Sequence, residues 1–132
     1  MFQSLFSRKK PLTGAPAVRR IKTYSAQSGH VYRYYYQGHR FCGFGDSAGM
    51  EHVFGICTGR GAWRTGRVVV SEAAVAAWQR SHGRDLSATE RYALAKMALF
   101  QAFDERPPGA MEGLIRVREA DLEGIAATLG FD

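Results

Sequence analysis

The hydrophobic pattern of this chain changes period once, near Ser71, and that change restricts the fold more than any other feature of the sequence. Before it, apolar and aromatic residues alternate with polar ones, the spacing of strands with two unlike faces. After it, they recur every three or four residues, the spacing of helices with one apolar stripe. Strands followed by helices, rather than interleaved with them, predict an α+β fold. The expectation is an antiparallel β-meander of about four strands (residues 18–70) packed against about three helices (residues 71–130). A chain of 132 residues suits one domain. We place that domain at 18–132, behind a basic N-terminal tail at 1–17 that Pro11, Gly14 and Pro16 keep irregular.

In the first half, Ile21 to Gln27 and His30 to Gln37 flank Ser28-Gly29, the signature of a hairpin. Alternation puts Tyr32, Tyr34 and Tyr36 on one face of the second strand and Val31, Arg33 and Tyr35 on the other. Residues 42–50 read as a glycine-rich loop. His52 to Thr58 form a third strand, with His52, Phe54 and Ile56 on one face, and a short fourth runs from Arg67 to Val70 after a loop from Gly59 to Gly66. In the second half, Ser71 caps a helix over about 72–82 that Gly83 ends. Ser87 and Glu90 form a capping box for the longest helix, about 88–105, which Pro107 and Pro108 stop. Ile115 to Val117 is an extended link or short strand, and the last helix spans about 119–129. The long helix is apolar over more than one stripe, which fits a central helix or one that also meets a second subunit.

Charge is divided along the same boundary. Residues 1–70 carry 11 Lys/Arg and 2 Asp/Glu, whereas residues 71–132 carry 7 and 10. No acid precedes Asp46. A basic front half predicts an anionic partner: an acidic or mixed protein surface, nucleic acid, or an anionic membrane surface. In the tail, Phe2, Leu5 and Phe6 precede Arg8, Lys9 and Lys10, an apolar-then-basic pattern suited to a partner's groove or to the edge of a bilayer. No apolar run reaches the roughly 18 residues of a membrane span, and the tail lacks the apolar core of a secretory signal. The expected location is cytoplasmic, peripheral to a membrane or within a large complex.

No catalytic set emerges. Gly45-Asp-Ser47-Ala-Gly49 resembles the nucleophile elbow of hydrolases in its spacing, but a strand follows where that motif needs a helix. Gly61 to Gly66 shares only its two glycines with a phosphate-binding loop, since Arg67 and Val68 stand where lysine and Ser/Thr would be. Cys42 and Cys57, with four histidines, include no short zinc-binding spacing, so neither metal nor cofactor is expected. The two cysteines flank the 42–50 loop as possible neighbours, read as free thiols.

Arg60, Arg64 and Arg67 around Trp63, joined by Arg33, His39 and Arg40 near Tyr34 to Tyr36, form a candidate anion or nucleic-acid contact. Lys96, on the aromatic face of the long helix, and Asp104 and Glu105 at its C-terminus are weaker functional candidates. The carboxylates are expected to pair with arginines of the sheet or loops, because the helix dipole disfavours them there. The expected function is that of a non-enzymatic accessory protein docking on a larger assembly through its tail and β half. The alternatives are RNA or single-stranded DNA binding, peripheral membrane association, and a small enzyme using Lys96, Asp104 or a histidine. The helix at about 88–105 is the candidate oligomer contact.

Overall fold

A computed structural model describes residues 10–59, 61–111 and 113–132. The described residues form an α+β fold, with one five-stranded sheet and three α-helices. The strands are β1 (Lys22–Ser25), β2 (Val31–Cys42), β3 (Gly49–Thr58), β4 (Arg64–Ser71) and β5 (Gly113–Val117), ordered in the sheet as in the chain. Strands β1 to β4 pair antiparallel, and β5 pairs parallel with β4. The meander expectation holds, with one strand more than anticipated. The extended link at 115–117 is a sheet edge, because the helices between β4 and β5 return the chain to run beside β4.

Helices α1 (Glu72–His82), α2 (Ala88–Glu105) and α3 (Glu119–Thr128) follow their caps. The Ser71 hydroxyl accepts the Ala74 N–H, and Gly83 takes the left-handed conformation that ends α1. In α2 both halves of the Ser87–Glu90 box form. Arg84 holds both Glu90 carboxylate oxygens at 2.9 and 3.0 Å. That contact first, and the Ser87 N–H second, lowers the Glu90 carboxyl to about 2.

All three helices lie against one face of the sheet. Tyr32, Tyr34, Phe54, Ile56, Val68, Val70, Ile115 and Val117 point into that layer and meet Trp78, Leu94, Leu99, Phe103 and Leu122. The alternate tyrosines of β2 therefore serve the core. Tyr32 stacks on Phe103 at 4.2 Å between centroids, and Tyr34 meets Phe100 edge-on. The breadth of the apolar stripe on α2 is used inside the chain: Leu94, Ala95, Ala98, Leu99, Ala102 and Phe103 are buried, and Tyr92, Met97 and Phe100 pack against the core. Among the described residues no helix is long and apolar enough to cross a membrane.

The β2–β3 hairpin is longer than its sequence suggests. Strand β2 continues to Cys42 and β3 starts at Gly49, so the expected loop at 42–50 shrinks to a tight turn around Gly45–Ser47. At its centre, β2 carries a bulge. Tyr36 pairs with Phe54 but the next pair is Gly38 with Val53, leaving Gln37 as an extra residue. From there on, the faces of β2 are exchanged.

Candidate functional site

The face of the sheet away from the helices holds most of the basic residues singled out from the sequence. Parity places Arg33 and Tyr35 there before the bulge and Arg40 after it, with Glu51, Val53 and Cys57 of β3 and Arg67 and Val69 of β4. Tyr35 lies flat across Gly55, where a Cβ would collide with its ring. Trp63 meets Tyr35 edge-on at 5.1 Å. The Arg19 guanidinium sits 4.1 Å from the Tyr35 centroid, and that of Arg33 sits 5.3 Å from the Trp63 centroid. Glu51 is 3% exposed and lies between two arginines, bonded to Arg40 Nε at 2.6 Å and 3.7 Å from Arg67.

Not every expected member joins this face. Arg64 pairs with Ile56, a helix-side position, so it sits at a rim with Pro108 and Met111 rather than beside Arg67. Tyr34 and Tyr36 face the helices, which removes them from any basic surface. Arg60 lies outside the described residues, as do Phe2, Leu5, Phe6, Arg8 and Lys9 of the tail. Lys10 is described; its carbonyl accepts from Arg40, and its ammonium is 5.7 Å from the Phe41 ring. Thr13 exchanges two backbone hydrogen bonds with His39, at 2.8 and 2.9 Å, tying residues 10–16 to the part of β2 that β1 does not cover. Gly38 makes this possible: a Cβ there would come within 2.6 Å of the Thr13 carbonyl.

The remaining candidates have structural partners. Asp104 does not pair with arginine as expected. It accepts the Tyr24 hydroxyl at 2.7 Å and the Gln27 N–H at 2.9 Å, fastening the first hairpin to the end of α2. Hydrogen-bond donors offset the unfavourable helix dipole there as a cation would. Glu105 is exposed beside Arg106 and Arg116. The half-buried Lys96 ammonium lies over Tyr34 and Phe100, its pKa lowered by burial and then by Lys22. Ser47 donates to the Phe44 carbonyl within its turn. Cys42 and Cys57 pair with Gly49 and Arg33, at opposite ends of the β2–β3 ladder, so they are not neighbours. Neither is in a disulfide, and no metal-binding cluster of His, Cys, Asp and Glu occurs among the described residues.

A second site was not anticipated. The bulge turns His39 to the helix side, where strict alternation would have placed it opposite Tyr36. The Tyr36 hydroxyl then lies 3.2 Å from His39 Nδ1 and 2.9 Å from His52 Nδ1. These residues line a cleft of about 400 Å³, closed by Gly14 and Pro16 on one side and by Ala88, Thr89, Arg91 and Tyr92 on another. Burial first, then His39 and Arg91, lowers the His52 pKa to about 4, so the ring is neutral at pH 7. Its Nε2 has no hydrogen-bond partner among the described residues. The one available sequence signal was His52 on the apolar face of its strand.

No protein-family model, curated protein or solved structure matches this chain.

Proposed function

We propose that this protein is a non-enzymatic docking domain that binds an acidic surface of a larger protein assembly through its β half. One observation carries the reading. Among the described residues, the exposed large hydrophobic side chains are Val18, Ile21, Val31, Phe41, Phe44 and Trp63, all within residues 18–63, with Phe44 at 87% exposure. That stretch also contributes Arg19, Arg33 and Arg40. Exposed aromatics among arginines are the composition of a protein-binding surface. In the helical half, Arg84 pairs with Glu90 and Arg91 with Glu72.

A second reading, single-stranded nucleic acid, is favoured by Trp63 with Arg33 beside it, a stacking face next to a phosphate donor. Affinity purification from the native source, with and without nuclease, separates the two. Docking predicts a discrete protein partner that survives nuclease and falls at least tenfold in Trp63→Ala and Arg33→Glu. A partner lost on nuclease treatment, with affinity falling steeply in salt, supports the second reading. Equal recovery by wild type and both variants overturns both.

A further inference from the structure

We propose that the cleft between the Thr13–Pro16 segment, the β2–β3 ladder and the start of α2 binds a small aromatic carboxylate. The site is separate from the docking face and goes beyond that reading. Its size falls in the range of small-molecule sites, and its walls are largely apolar: Pro16, Met50 and the rings of Tyr36 and Tyr92. The two tyrosine rings meet edge to face at 4.7 Å, a corner that suits a third flat ring.

The polar groups specify the sign of the ligand. Among the described residues no Asp or Glu lines the cleft, whereas Arg91, His39 and His52 do. Glu72 engages Arg91 Nη1 at 3.6 Å, and a guanidinium retains further donors for a second carboxylate. Tyr36 has one hydroxyl proton and faces two imidazole nitrogens, so it donates to one and accepts from the other. If it donates to His52 Nδ1, the closer of the two, His52 carries its proton on Nε2. That N–H is then a buried donor with no acceptor among the described residues and no exposed surface, so the cationic donor open to a ligand is Arg91. A carboxylate held by Arg91, with its ring against Tyr36 and Tyr92, uses the charge and the apolar walls of the cleft together. A neutral ligand of the same shape would gain less from the Arg91 donors that Glu72 does not take.

The test is an NMR titration of the full chain with sodium benzoate and, separately, with benzamide, its uncharged isostere. Benzoate is expected to shift Thr89, Arg91 and His52 saturably, at a Kd at least tenfold below that of benzamide. Arg91→Gln should remove the preference for benzoate. Should that variant not fold, Ala88→Trp, at an exposed rim position, should block benzoate while leaving the thermal melt intact. Equal affinity for the two probes, shifts confined to Arg33 and Arg67 on the opposite face, or no saturable shift overturns the proposal.

Discussion

The two faces of this sheet both bury apolar side chains, by different means. The helix side is a dry layer in which Tyr32, Phe54, Phe103 and Leu122 pack against one another. The other side has no helix among the described residues, yet Tyr35, Val53, Cys57 and Val69 are buried there too. Their cover is made of Trp63, long arginine side chains and an ion cluster around Glu51. Arginine stems shield apolar surface while their charged heads stay wet. The first face derives its stability from apolar area. The second gives up some of that stability and in exchange presents cationic groups outward.

Three experiments probe this contrast, from the largest expected effect to the smallest. Phe103→Ala removes a fully buried ring from the helix side and should cost about 4 kcal/mol in urea unfolding. A cost near 1 kcal/mol would mean that the layer collapses around the gap and is not tightly packed. On the other face, Glu51→Gln leaves Arg40 and Arg67 facing each other without a counter-charge. It should cost about 3 kcal/mol, as breaking a buried pair does. An unchanged melting temperature would show that solvent already screens those charges and that the face is open.

The third experiment is a pH series. The helix-free face is rich in arginine, which does not titrate in the accessible range, so a pH effect near neutrality would come from the helix side. His52 is met there by Tyr36 and His39 from β2 and by Arg91 and Tyr92 from α2. Its folded pKa of about 4 lies below the ordinary 6.5. The unfolded chain therefore takes up the proton first, and stability falls as pH drops from about 6.5 toward 4. The loss from this group is at most on the order of 3 kcal/mol. His52→Gln should flatten that part of the curve. A profile equally steep in the variant would assign the acid sensitivity to other groups.

Much of the fold was legible because it follows from local chemistry. Ser71, Ser87 and Gly83 mark helix ends through hydrogen bonds and a backbone conformation that need only a few neighbouring residues. The alternation of Tyr32, Tyr34 and Tyr36 announces a strand with one buried face wherever that strand sits. The basic face was half legible. Arg33 meets Trp63 and shares a face with Arg67, which lies beside Glu51, but Arg64 goes to the other side because it stands three positions before Arg67 in β4 and alternation separates them. The partner expected for Asp104 was wrong because Tyr24 and Gln27 are nearly eighty positions away in sequence, and no local pattern announces them.

The sequence by itself determined the α+β class, the helix boundaries, the core side of β2 and the concentration of positive charge in the first half. These depend on period, capping and composition, which act over a few residues. Tertiary structure alone decided the parallel edge strand β5, the burial of Glu51 between Arg40 and Arg67, and the histidine cleft. The bulge at Gln37 shows why. One extra residue in a ladder reverses every side chain beyond it, bringing His39 to Tyr36 and Arg40 to Glu51. A bulge is settled by the register of the partner strand and by the close approach of Thr13 to Gly38, neither of which is encoded within β2.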